Sequence, residues 1–437
     1  MVQQLIFISA LAIAIYFIRK RVLDIKANIN LGKENKINDY TRKRFVSMIL
    51  VAFGQKKMFK RFIPAILHLF IYVGFLIINL EVLEFIIDGA AGTHRIFAPY
   101  LGGFYNILMN IFESLAVAVL LSCLVMLIRR NILKIKRFWS SEMTSWPRLD
   151  ANLILITEIA LMFAILIMNA SDQALQENNT NYTATGTLFF SSRLMPILRG
   201  FNVTTLIILE RSAWWFHIVG ILGFAVFITY SKHLHIFLAF PNTYFANIEA
   251  AGHLRNMPVV TGEVKMMLGL TTSNPAVSTE APGRFGAKDI NDLNWNNLMS
   301  AYACTECGRC TSECPANLTG KKLSPRKILM DTRDRMEEVR RSLKKGGAGL
   351  GDGKTLLGDY ITKEEINACT SCNACVEACP VLINPLEIII ELRRYVAMEE
   401  SGSPASWNSM FQNIETNFAP WKFSPADRFN WADDKKI

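Results

Sequence analysis

The chain has 437 residues, of which 51% are hydrophobic and 19% charged, and 47 Lys and Arg against 37 Asp and Glu give it a formal net charge of +10. This composition excludes a disordered chain, argues against an ordinary soluble enzyme, and leaves room for two or three domains. The apolar runs crowd into the first 240 residues and eight of the nine cysteines lie between 304 and 379, so a membrane half precedes a cysteine-rich half.

In chain order, five stretches approach or exceed the roughly 20 apolar residues that cross a bilayer. They are 3–18, 62–87, 101–128, 150–170 and 212–240. Arg19-Lys20-Arg21 closes the first, which lacks a signal-peptide cleavage pattern and reads as a retained anchor. The loops 19–61 and 129–149 carry thirteen and six Lys/Arg, against one in 88–100 and three in 171–211. That bias puts the N-terminus outside and everything after residue 240 in the cytoplasm. It also accounts for the basic charge without nucleic acid, for which no aromatic-interleaved basic stripe is present.

Of the six histidines, His68 lies in the second span, His217, His233 and His235 in the fifth, and His94 in an outer loop. In a continuous fifth helix His217 and His235 share a face, one near each membrane surface, and His233 points roughly the other way. His68 and His235 then stand at one depth on neighbouring helices, as bis-imidazole ligation of a haem b requires. His217 has no partner at its own depth within span two. His94 is the alternative second ligand, and otherwise His217 serves a quinone. Glu81, Glu84, Glu113 and Glu158 lie inside spans, where carboxylates suggest a proton path or quinone pocket beside a structural alternative. Cys123 reads as a small buried residue. The formal glycosylation sequons at Asn178 and Asn181 carry no weight without a eukaryotic secretory setting.

Two copies of C-x2-C-x2-C-x3-C-P follow: Cys304, Cys307, Cys310, Cys314 with Pro315, and Cys369, Cys372, Cys375, Cys379 with Pro380. Three thiolates on one loop wrap a corner of an iron–sulfur cube while the fourth reaches the other cluster. The spacing predicts one 4Fe-4S cluster on Cys304, Cys307, Cys310 and Cys379, and another on Cys369, Cys372, Cys375 and Cys314. Ser324-Pro325 opens a helix to about 345, Thr362 and Glu365 form a capping box, and 384–400 is a further amphipathic helix. The glycine-rich run 346–353 follows a charged helix instead of a strand, so it reads as a surface loop. Trp407, Phe411, Phe418, Trp421, Phe423, Phe429 and Trp431 stud a tail that suits either docking to a partner or packing back on its own domain.

Spans two and five, with Tyr230-Ser231-Lys232-His233-Leu234-His235, resemble the NarI-like cytochrome b components of respiratory nitrate reductase. The two cysteine motifs resemble the C-type iron–sulfur component of heterodisulfide reductase and its bacterial relatives. Together these resemblances cover about 60–240 and 285–400. They imply an all-α bundle of five transmembrane helices followed by a helical, cytoplasmic, two-cluster ferredoxin-like domain, set in a prokaryotic inner membrane. The expected organisation is a cytochrome b-like domain over 1–240, a linker over 241–290, a dicluster domain over 291–400 and the tail over 401–437. Two departures stand out. Ile78 occupies the position where the cytochrome family has a further histidine, and no CCG repeat follows Cys379. The resemblance therefore implies a separate redox protein, like the CCG-bearing B-type component of heterodisulfide reductase. The expected function is electron transfer between quinone and that partner. The alternative is a membrane polyferredoxin for metallocofactor maturation or regulation, with neither haem nor quinone turnover.

Overall fold

The structure is a computed structural model that describes residues 1–37, 39–177, 182–250, 252–270, 284–346, 352–422 and 424–433. Most of both sequons, most of the glycine-rich run, Phe423 and part of the expected linker lie outside the described residues. Five helices are long and apolar enough to cross a membrane: α1 Val2–Ile29, α2 Phe62–Ala91, α3 Gly103–Asn131, α4 Ser145–Gln176 and α5 Val203–Ile228. After them come α6 His235–Tyr244, α7 Trp295–Ala303, α8 Pro325–Lys344, α9 Pro385–Met398 and α10 Ala405–Asn417. No strand forms among the described residues.

The spans pack chiefly α2 on α3, α3 on α4 and α4 on α5, with α1 laid against α2 and α5. Phe7, Ala116, Val119, Ile165, Met168, Trp214 and Ile218 fill the seam between them. Close approach of α2 and α3 depends on Gly74, where an added Cβ would fall 2.4 Å from Val119 Cγ2. Lipid supplies no hydrophobic drive between helices, so small residues that admit a neighbour's side chain are where spans associate.

α1 runs eleven residues beyond the expected end of the first span, because its last turns leave the apolar stretch and dock on the cysteine half. Arg21 binds Glu337 at 2.7 Å, Asp24 meets Arg340 at 3.1 Å, and Asn28 donates to the Tyr302 hydroxyl at 2.7 Å. Ile25 and Leu234 enter the cysteine domain's own core beside Leu298, Tyr302, Ile328, Met336 and Leu392. The basic loops are thus fastened to the cysteine domain as well as biased to one side of the membrane. Fully buried Arg326 joins Glu142 at 2.6 Å and the Arg137 carbonyl at 2.7 Å.

In the cysteine half, Ser324 caps α8 by accepting from the Lys327 amide, and Pro325 opens the helix. Thr362 and Glu365 form the reciprocal capping box of the short helix Lys363–Asn367. The first residues of the expected linker are packed: Asn242 donates to the Val381 carbonyl at 2.7 Å and accepts from Ser300 at 2.6 Å. α10 buries none of its side chains.

Candidate functional site

α2 enters the membrane from the face that carries the cysteine domain. Its N-cap, Arg61, donates to Ser312 Oγ at 2.9 Å and Glu313 Oε1 at 2.8 Å. His68 lies about two turns in from that end. α5 stops at Ile228, and a single tight turn, Lys232–Leu234, separates it from α6. Asp150 of α4 causes the break: it accepts the Ser231 hydroxyl at 2.5 Å and the Lys232 amide at 3.1 Å. The continuous helix expected over 212–240 is therefore corrected, and with it the shared face of His217 and His235. The break also reverses the reading of His233. Its ring lies 5.4 Å from that of His235 and 5.6 Å from Phe224, inside the site instead of turned from it.

The rings of His68 and His235 stand 6.3 Å apart, centre to centre, at 42°. Both are anchored through Nδ1: His68 to Gln55 Oε1 at 3.1 Å, His235 to the Lys232 carbonyl at 3.0 Å. A carbonyl oxygen only accepts, so each Nδ1 carries the proton and each Nε2 keeps its lone pair. This second-neighbour hydrogen bond is the one that orients imidazole ligands toward a metal. Gln55 is buried and left-handed, with φ +50°, a conformation retained where the surroundings demand it. Sequence offers no sign of Gln55 beyond its place between two helical runs.

A buried ion pair joins this turn to the first cysteine loop. The Lys232 ammonium contacts the Glu306 carboxylate and donates to the Pro147 carbonyl at 2.6 Å. Arg333 holds the other side of Glu306 at 2.8 Å. Burial opposes the Glu306 charge, but Arg333 and Lys232 outweigh it and hold the carboxyl below its ordinary range. Burial in turn lowers Lys232, against the pull of Glu306 and Asp150. Glu306 lies between Cys304 and Cys307, and its amide donates to Cys304 Sγ at 3.4 Å.

The two cysteine loops share one backbone pattern. Glu306 and Gly308 flank Cys307 with φ +53° and +70°, and Ser371 and Asn373 flank Cys372 with φ +56° and +61°. The Ser371 amide donates to Cys369 Sγ at 3.4 Å, matching the Glu306–Cys304 bond. Gly308 has a second constraint, since a Cβ there would meet Arg326 Nη1 at 2.5 Å. Cys304, Cys307, Cys310 and Cys379 line one cavity, and Cys314, Cys369 and Cys372 line a second, with Cys375 on the wall of both. All nine cysteines are free thiols. Burial, reinforced by neighbouring thiols, pushes Cys304 and Cys375 up to about 12 and Cys379 up to about 11. Such thiols ionise together only around a cation, so the donor set fits iron and could hold one cluster per cavity.

The other expected residues are not gathered here. His217 bonds the Leu161 carbonyl through Nδ1 at 2.9 Å and packs on Phe85. His94 meets Asp172 at 3.3 Å and Tyr182 ring to ring at 5.0 Å. Glu113 accepts the Phe190 and Ser191 amides at 2.7 and 2.9 Å, so it fastens the 188–198 segment to α3. Glu84 accepts the Tyr105 hydroxyl at 2.6 Å. Cys123 is buried in the bundle.

The 4Fe-4S dicluster domain family matches residues 303–383, the segment that carries both cysteine loops. Over 98% of its length the chain is 28% identical to the probable iron-sulfur-binding oxidoreductase FadF of Bacillus subtilis, covering 61% of that protein. Over 92% it is 25% identical to the EtfAB:quinone oxidoreductase of Syntrophomonas wolfei, covering 55%. A third of the chain, 34%, is 28% identical to the D component of the dihydromethanophenazine:CoB–CoM heterodisulfide reductase of Methanosarcina mazei, covering 37% of it. The chain thus spans little more than half the length of the first two relatives. No solved structure matches it. The chain thus combines five helices long and apolar enough to cross a membrane with a C-terminal 4Fe-4S dicluster domain, and it resembles iron–sulfur oxidoreductases over most of its length.

Proposed function

We propose that the chain carries electrons between a membrane quinone and a cytoplasmic redox protein resembling the B-type component of heterodisulfide reductase. In this reading His68 and His235 would hold a haem b. Cys304, Cys307, Cys310 and Cys379 hold one 4Fe-4S cluster, and Cys369, Cys372, Cys375 and Cys314 hold the other. The observation that carries the proposal is the joining of the histidine pair to the first cysteine loop through Lys232 and Glu306. The 6.3 Å between the two ring centres, with both Nδ1 atoms already committed to hydrogen bonds, supports the pairing.

Bound haem and clusters would supply one-electron chemistry, and the protein supplies their positions and surroundings. Gln55 and the Lys232 carbonyl fix the tautomers of the two histidines. The amides of Glu306, Ser371 and Ile383 donate to cysteine sulfurs and stabilise their negative charge. Quinone as one terminus is supported by the Syntrophomonas relative, whose name includes it. The partner is supported by the heterodisulfide reductase relatives. α10 offers it exposed Trp407 and Phe411 on one helix face. The basic-loop bias supports a cytoplasmic cysteine domain on an inner membrane.

Anaerobic mixing of the purified full chain with duroquinol tests the proposal. The visible and paramagnetic signals of the reduced centres should appear in the wild type, and a His68→Leu chain should lose them while dithionite still reduces its clusters. Reduction by dithionite alone, in both chains, would overturn the quinone link.

A further inference from the structure

At the membrane end opposite the cysteine domain, four carboxyl groups surround one guanidinium. Arg95, 4% exposed, donates to Asp172 Oδ2 at 3.2 Å and Asn169 at 2.7 Å, and lies 3.5 Å from Glu81 Oε1. Asp88 accepts the Thr93 hydroxyl and the amides of Arg95 and Ile96. Glu84 accepts the Tyr105 hydroxyl and the Phe97 amide at 3.0 Å. Asp172 has Arg95 on one side and His94 on the other. Glu113, on α3, spends both oxygens on the 190–191 amides. Glu81 differs from all of these. It is 2% exposed, and neither of its oxygens has a hydrogen-bond partner.

One arginine does not balance four buried carboxylates in hydrocarbon, so at least one is held neutral by a proton. Glu81 is the one of the four with no hydrogen-bond donor, its single cationic neighbour Arg95 standing 3.5 Å away and shared with Asp172, so it is the natural carrier of that proton. One turn along the same helix face is Phe85, against which His217 packs edge-on. His217 has its Nδ1 committed to Leu161, leaving Nε2 free for a hydroxyl. Asp172 leads from Arg95 to His94, whose side chain is 24% exposed.

We propose that Glu81 is the proton-accepting residue of a hydroquinone site between α2 and α5, with His217 positioning the substrate hydroxyl. Asp172 and His94 form the way out to the membrane surface, with Arg95 holding Asp172 beside Glu81. The inference rests on the quinone reading above. Oxidation of one hydroquinone breaks two O–H bonds, sends two electrons to the redox groups held by the histidines and cysteines, and releases two protons. Glu81 relays both: its resident proton leaves by Asp172 and His94, and the carboxylate so formed takes a proton from the hydroquinone. A second round of the same relay releases the second proton and leaves Glu81 protonated again. Quinone reduction runs the same transfer backward.

The test uses the full chain in liposomes, comparing wild type with Glu81→Gln. Infrared spectra at neutral pH should show a protonated-carboxyl stretch that the variant lacks. Reduction by duroquinol should slow at least tenfold in the variant, with reduction by dithionite and the iron content unchanged. A retained stretch, or equal duroquinol rates in the two chains, overturns the role of Glu81 and leaves the quinone reading standing. A wild type that dithionite reduces and duroquinol does not overturns both. If Glu81→Gln fails to assemble, Glu81→Asp should shift the stretch and slow the reaction, and an unshifted stretch with an unchanged rate overturns the role.

Discussion

Replacing Lys232 by Met removes a charge while keeping the length of the apolar stem, so it isolates the link between the histidine turn and the cysteine loop. Lys232 is 8% and Glu306 3% exposed, so the pair belongs to the buried class. Removing one partner of such a pair costs about 3–5 kcal/mol, because the other charge is stranded. Here Arg333 stays on Glu306, and Ser231 stays on Asp150, which places the cost near the lower limit, about 3 kcal/mol. Hydrogen exchange of the 231–235 and 304–310 amides reads this as an opening equilibrium about a hundredfold larger. Adding Glu306→Gln should recover part of the loss, since the stranded anion is gone. The sign with pH follows from the carboxyl of Glu306, which is held below its ordinary value of 4.5. Its stabilisation is complete above that value and is lost as pH falls through the lower folded-state value. Exchange that is the same in wild type and Lys232→Met would refute the reasoning.

Three further outcomes follow from the cysteine half. Gly308→Ala forces a side chain into a left-handed position against Arg326 and should cost about 1–3 kcal/mol, read as faster cluster loss on heating, whereas Asn373→Gly should be tolerated. Cys379→Ser should remove the paramagnetic signal of the cluster on the first loop and spare that of the second, with about half the iron retained. Because burial raises Cys304, Cys375 and Cys379, iron–sulfur reconstitution of the metal-free chain should quicken as pH rises from neutral toward 9, by about tenfold per unit where one proton release limits it.

The spans and the cysteine loops are legible in the sequence because their signals are local. Apolar length marks α1 to α5, Ser324-Pro325 and Thr362-x-x-Glu365 mark helix starts, and cysteine spacing marks the two loops. The meeting of His68 with His235 is legible too, from depth alone. Its setting is not. The apolar text resumes on the far side of Ser231-Lys232-His233, which hides the break after Ile228, and the partner that fixes that break, Asp150, lies about eighty residues earlier in the chain. A continuous helix turns His233 away, and the break brings it back. Gln55, Lys232 and Glu306 are hidden for the same reason: each acts through a partner distant in sequence, and no periodicity encodes such a pair. Likewise the end of α1 looks like a basic membrane flank, whereas Asp24, Ile25 and Asn28 form a dock for the cysteine domain.

The proposal that one chain holds a haem on its histidine pair and two iron–sulfur clusters on its cysteines is tested most directly by an anaerobic reduced-minus-oxidised visible spectrum of the purified protein, with haem and iron quantified on the same sample. The expected result is a b-type band with about one haem and about eight non-haem iron atoms per chain, the haem lost and the non-haem iron kept when His68 or His235 is replaced by Leu. Iron for two clusters with no haem in the wild type, or a haem content that neither substitution changes, would contradict it.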